Sequence, residues 1–127
     1  MSDTGLAVHG AIYTALTGAL SAAVYDSTPD DAVMPYVVMD SQMAMPDDPL
    51  ASRRDEVMLY LTVWTKYRGQ AQALGIINTI YDTLHQARLT MTTGRMVRAY
   101  VVRRMTEPDL SAEIHKGKAT VRAIVEH

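Results

Sequence analysis

The chain has 127 residues, 48% of them hydrophobic, and a net charge of −2, which suits one domain able to bury roughly two thirds of its unfolded surface. It contains no cysteine, which excludes disulfides, thiolate metal sites and thiol nucleophiles and agrees with a reducing compartment. The opening residues, MSDTGLAVHG, place an acid where a secretory signal is basic. No apolar run nears the roughly 20 residues that span a bilayer, so a soluble, cytoplasmic chain is expected.

The small net charge hides a split. Residues 1–52 hold seven acids (Asp3, Asp26, Asp30, Asp31, Asp40, Asp47, Asp48) and no Lys or Arg, whereas residues 53–127 hold twelve bases against seven acids. Such segregation creates either two differently solvated faces or an acidic surface that meets a basic surface of another copy.

Between Thr4 and Val24, Leu6, Ile12, Tyr13, Leu16, Leu20 and Val24 recur at helical spacing, with alanines between them, which predicts a helix. Thr4 is its candidate N-cap, and Gly10 and Gly18, costly inside a helix, suggest close packing there. The stretch YDSTPD (25–30) is turn chemistry, and Pro35, lacking an N–H, suits the first position of a strand running on as YVVMDSQM (36–43). MPDDPLASRR (45–54) interrupts that strand with two prolines and acids, so a mobile loop is expected at about 43–54.

From Asp55 to Lys66 the alternation is clean: Val57, Leu59, Leu61 and Val63 share one face, and Met58, Tyr60, Thr62 and Trp64 the other. The second set is too apolar for a water-facing side and implies that something covers it. Arg68 to Arg88 reads as a second helix with Ala71, Leu74, Ile77, Tyr81 and Leu84 on its stripe and Ala73, Ile76 and Ile80 broadening it. Met96 to Met105 follows as a strand with Val97, Ala99 and Val101 inward and Met96, Arg98, Tyr100, Val102 and Arg104 outward. The last strand, Lys118 to Glu126, turns Ala119, Val121, Ala123 and Val125 inward and Lys118, Thr120, Arg122 and Glu126 outward. The expected fold is α+β, with two helices packed on one face of a four-stranded, mainly antiparallel sheet, in the order α-β-β-α-β-β.

No catalytic constellation accompanies this scaffold. His9, His85, His115 and His127 are isolated from other ligands at metal-binding spacing, and Asp47 with Asp48 lacks the spaced oxygens of a Ca²⁺ loop. There is no GxxxxGK[ST], GxGxxG or GxSxG, hence no phosphate cradle or nucleophile elbow. No metal, cofactor or catalytic residue is assigned. The arginines are the notable polar group: Arg95, Arg98, Arg103 and Arg104 lie on one strand and Arg122 on another. Two readings follow. Arginine pairs with carboxylates at protein interfaces, which the acidic part of another copy would supply. Alternatively, the Arg-rich strand 95–104 serves a small nucleic-acid-binding or regulatory module, against which stand a pI near 6.0 and the absence of an RNP-like aromatic motif.

Taken in order, the ALTGAL helix (15–20), YD before an acidic turn, PYVVM (35–39), VMLYLTVWT (57–65), YRGQAQALGIINTIYDTLH (67–85) and KATVRAIVEH (118–127) resemble the tail-completion, or tail-terminator, proteins of long-tailed phages and related tail-like or gene-transfer particles. The likeness runs over nearly the whole chain, 1–127, as a single domain. It implies a subunit of a ring, expected to be a hexamer, that caps the tail tube, stops its polymerisation and meets the head–tail connector, with no reaction catalysed and no cofactor. Its partners would be further copies of itself, the tail tube protein and the connector protein, without membrane or sequence-specific nucleic acid. Its place would be the virion tail, assembled in the host cytoplasm.

Contacts are transferred only as regions. The loop carrying Met45, Asp47, Asp48, Arg53 and Arg54 would touch tube or connector. The outer sheet face with Tyr36, Met58, Tyr60, Trp64, Arg98, Tyr100, Arg104 and Arg122, with Asp30 and Asp31 before the first strand, would form the subunit boundary.

Overall fold

The computed structural model describes residues 4–20, 22–26, 34–46, 54–66, 71–91, 94–108 and 114–126. In chain order the elements are α1 (Thr4–Ala19), β1 (Ala23–Tyr25), β2 (Tyr36–Pro46), β3 (Arg54–Lys66), α2 (Ala71–Leu84), β4 (Arg95–Pro108) and β5 (Ile114–Glu126). One sheet runs β1-β2-β3-β5-β4. Only β1 and β2 are parallel; the remaining pairs are antiparallel. The class is α+β as expected, but the sheet is mixed and five-stranded rather than four-stranded.

The additional strand comes from residues read as the end of the first helix. α1 stops at Ala19, where the Leu20 N–H closes the last turn on the Leu16 carbonyl at 2.8 Å. Ala23, Val24 and Tyr25 then lie beside Tyr36, Val37 and Val38. A β-branched and an aromatic residue side by side favour an extended chain, but three residues are too few to show a period.

Both helices rest on one face of the sheet. Val57, Leu59, Leu61 and Val63 of β3 lie opposite Ala123, Val121, Ala119 and Gly117 of β5 and are sealed by Val8, Ile12 and Leu16 of α1 and Ile77, Ile80 and Leu84 of α2. Each large aliphatic side chain taken fully from water contributes about 1.5–3 kcal/mol. The helix stripes differ in detail from the expectation: Leu6, Tyr13 and Leu74 are 68%, 40% and 44% exposed, because the buried rows are Val8–Ile12–Leu16 and Ala73–Ile77–Ile80–Leu84. Nor do Gly10 and Gly18 mark close packing, since a Cβ at either would meet nothing. The close approach is at Gly117, where an added Cβ would run into the Ile77 side chain.

Two further differences reposition functional candidates. The β2–β3 ladder continues to Met45↔Glu56 and Pro46↔Asp55, so Met43–Pro46 and Arg54 belong to strands; Pro46, which cannot donate to a ladder, ends β2. In β4, irregularities between Met96 and Arg98 and between Val101 and Arg103 each insert a residue and reset the alternation. Met96 is therefore buried among the core side chains, and Arg104 shares the face of its partner Ala119, with its guanidinium 4.0 Å from the centre of the Tyr81 ring on α2. The expectation that Met96 and Arg104 point outward is corrected on this ground.

Candidate assembly surface

The sheet face opposite the helices has no described helix over it. Across β2 and β3 it pairs Tyr36 with Trp64, Ser41 with Tyr60, Met43 with Met58 and Met45 with Glu56. β5 adds Lys116 opposite Trp64, Thr120 opposite Tyr60 and Arg122 opposite Met58; β4 adds Arg98 opposite Ile124 and Tyr100 opposite Arg122. Met43, Met45 and Tyr60 are 46%, 40% and 37% exposed, while Met58 and Trp64 are half-buried. Tyr36, Trp64, Tyr60, Met43, Met58 and Met45 form an apolar strip on a face whose other members are mostly polar or charged, the composition expected where another chain docks.

The charges around the strip are tied together. Glu126 accepts from Arg54 Nη2 at 2.9 Å and Nε at 3.2 Å, and from Arg95 Nη2 at 2.7 Å, and these arginines hold its carboxyl below the usual carboxylate range, Arg95 foremost. Arg122 Nε lies 2.9 Å from Glu56 Oε1, close enough for an ion pair but without the alignment of a hydrogen bond. Lys116 and Lys118 approach one oxygen of Glu107 at 3.6 and 3.7 Å, and Lys116 Nζ stands 5.6 Å from the Trp64 ring centre. The Thr62 hydroxyl donates to Asp40, the residue that bulges out of β2. Exposed pairs of this kind are each worth at most about 1 kcal/mol; their effect is to cancel most of the positive charge of β3 and β5 locally.

Tyr36, Met58, Tyr60, Trp64, Arg98, Tyr100 and Arg122 thus meet on or beside one face, whereas Arg104 lies on the helix side. Met45 and Arg54, expected on a tube-facing loop, sit in β2 and β3. Asp30, Asp31, Asp47, Asp48 and Arg53 lie outside the described residues. Sequence reasoning missed Met43 as an exposed companion of Tyr60, although its two-residue spacing from Met45 was there to read. Lys116, which stands with Lys118 beside Glu107, was also missed, because the start of β5 was placed four residues late.

The sheet ends differ from each other. At the β4 end, the Gln86 N–H donates to the Ala99 carbonyl at 2.6 Å, Ala99 N–H to Ala87 at 2.9 Å, and Val101 N–H to His85 Nδ1 at 3.1 Å. The segment after α2 therefore covers the edge up to Val101. At the other end β1 covers only Tyr36–Val38 of β2.

The open groove between α1 and Leu89–Thr90, about 400 Å³, is lined by Leu6, Ala7, Gly10, Ala11, Thr14 and Ala15 and has no titratable side chain. His9 Nε2 lies 3.2 Å from a largely exposed Asp26 carboxylate, a solvated surface pair. Among the described residues no three His, Asp or Glu side chains converge as a metal site, and no helix is long and apolar enough to cross a membrane.

The family model of tail completion protein gp17 matches residues 6–126. The chain belongs to that family. The resemblance read from its sequence is thereby established, and this tail completion protein is a structural protein of the virion tail. A solved chain entitled "Virion of native gene transfer agent (GTA) particle" is 22% identical and superposes with a TM-score of 0.85, over 99% of this chain and 100% of that one, which shows that the two share a fold. No curated protein matches.

Proposed function

We propose that the chain forms a ring, expected to be a hexamer, that caps the tail tube, ends its polymerisation and joins the tail to the head connector. The observation that carries this reading is an apolar strip along Met43, Met45, Met58 and Tyr60, left without a covering helix on a sheet whose other face carries both helices, in a chain that belongs to the tail completion family. A monomer exposing such a strip would be prone to unspecific association; a subunit with copies and partners to meet uses it. Tyr36, Trp64, Arg98, Tyr100 and Arg122 extend the surface offered to other tail chains, with Asp30 and Asp31 as candidate subunit contacts and Asp47, Asp48 and Arg53 as candidate tube or connector contacts.

The test is tube assembly with and without the protein. Added to polymerising tube protein, it is expected to give tubes of limited length with a ring density at one end in negative stain; undiminished elongation and bare ends would refute the proposal. The alternative of nucleic-acid binding through strand 95–104 is disfavoured by the geometry, since Arg95 is paired with Glu126 and Arg104 lies over Tyr81, which breaks the basic stripe.

A further inference from the structure

We infer that the sheet face without helices holds a carboxylate-binding cleft, walled by Arg103 and Lys118 with the Thr120 hydroxyl at its base, which takes an aspartate or glutamate side chain of a neighbouring tail chain. The inference rests on the capping role proposed above and names a polar contact through which that role is exercised.

The cleft follows from the strand pairing. Thr62 of β3 stands opposite Lys118 of β5, and Tyr60 opposite Thr120, so two short side chains occupy one diagonal and two long ones the other. Arg103 of β4 lies beyond Thr120, and Asp40 and Ser41 close the β2 side. The result is an open recess of about 310 Å³ with the two threonines, 6% and 9% exposed, at its base.

Its donors are under-used. The Thr62 hydroxyl donates to Asp40, but the Thr120 hydroxyl has no hydrogen-bond partner among the described residues, although side-chain polar atoms at this depth are nearly always paired. Arg103 is exposed and forms no ion pair among the described residues; its Nη2 reaches only the Met105 sulfur at 3.1 Å, a weak acceptor. Lys118 approaches Glu107 at 3.7 Å and shares that oxygen with Lys116, which leaves its ammonium with protons to donate elsewhere. With two bases and one acid, Asp40, in the lining, the cleft carries a surplus positive charge.

A guanidinium fork, an ammonium and a hydroxyl facing one recess form the donor set that a carboxylate accepts from. A protein side chain suits it better than a phosphate backbone does. Asp40 in the opposite wall repels a run of phosphates, whereas a single carboxylate seats on the Arg103 side and keeps clear of it. Tyr60 in the same wall also belongs to the apolar strip with Met43 and Met58, so the residues flanking the acid on a partner chain have an apolar surface to lie on.

The probe is N-acetyl-glutamate α-amide, a single capped glutamate, titrated into the isotope-labelled chain and followed by amide chemical shifts, with N-acetyl-glutamine α-amide as the neutral control. Saturable shifts are expected at Arg103, Lys118 and Thr120 with the charged probe only. Thr120→Val keeps the shape and discards an unpaired hydroxyl, so it should melt no lower than wild type yet bind the probe about tenfold more weakly. Arg103→Gln should weaken the probe by a similar factor, and Asp40→Asn, which keeps an oxygen for Thr62, should tighten it. In the tube-capping assay the first two variants should need about tenfold more protein than wild type to limit tube length, and Asp40→Asn less. The absence of saturable shifts, or equal binding of the neutral probe, overturns the inference and leaves capping by the wild type standing. Weaker binding and capping by Asp40→Asn would mean a cationic occupant and overturns it too. Probe binding with every variant capping like wild type reduces the cleft to a site for free carboxylates and overturns the docking contact, as does retention of an oligonucleotide that falls in Arg103→Gln while capping holds. A wild-type chain that caps no tubes removes the capping role and this contact with it.

Discussion

Arg95 donates to Glu126 at 2.7 Å, and Arg54 holds the other oxygen of the same carboxylate, so the last residue of β5 clasps the first residues of β3 and β4 together. Charge-assisted bonds of this sort favour the ionised carboxylate, which is why the Glu126 pKa lies below its ordinary value.

Glu126→Gln is therefore expected to lower stability at neutral pH. A carboxyl with a depressed folded-state pKa contributes stability above its unfolded pKa and loses it as the pH falls through the folded value. The gap between wild type and variant in urea midpoints should accordingly be largest near pH 7 and close once the pH drops below the usual carboxylate range. A gap independent of pH would mean that the clasp acts through packing alone.

Gly117 meets Ile77 so closely that an added Cβ displaces the isoleucine, whose side chain is 2% exposed and has core on every side. Gly117→Ala is expected to cost about 1–3 kcal/mol through overpacking. Adding Ile77→Val should recover part of that loss, because the two substitutions act on one contact. Thermal unfolding of the two single variants and the double variant measures it, and strict additivity would refute the contact.

Gly18 and Gly75 are the opposite case. Both lie in exposed helix positions where a Cβ meets nothing, so Gly18→Ala and Gly75→Ala should each stabilise the isolated chain by about 0.5–1 kcal/mol. A variant that is more stable yet caps tubes poorly would show that another chain packs closely on that helix in the tail.

How far the sequence discloses the molecule depends on the length of each signal. β3 was legible because Val57 to Val63 alternate cleanly and pair with an equally regular β5, and α2 because its apolar row recurs over several turns. β1 was hidden by its three residues and by the alanines that join it smoothly to α1. Arg104 was misplaced because no residue type marks a bulge: the period of β4 is reset twice by pairing with β5, a tertiary event. The apolar strip was half visible in Met58, Tyr60 and Trp64, but its partners Met43 and Met45 were obscured by the prolines beside them, which end the ladder only at Pro46.

Trp64 supplies the sharpest separation of folding from assembly. It sits half-buried on the uncovered face, opposite Tyr36 and beneath the Lys116 ammonium, so a carboxylate there keeps access to water and finds a cation next to it. Trp64→Glu should leave the circular dichroism spectrum and a cooperative melt intact, with a loss on the order of 1–2 kcal/mol from the missing ring contacts. In the tube-capping assay it should lose activity at least tenfold, since a charge buried at a docking surface without a matched partner costs several kcal/mol. Arg104→Glu serves as the control: with its guanidinium over Tyr81 on the helix side, it should lower stability while leaving the contact made by the uncovered face unchanged. Full capping activity in the folded Trp64 variant would remove that face from the proposed surface.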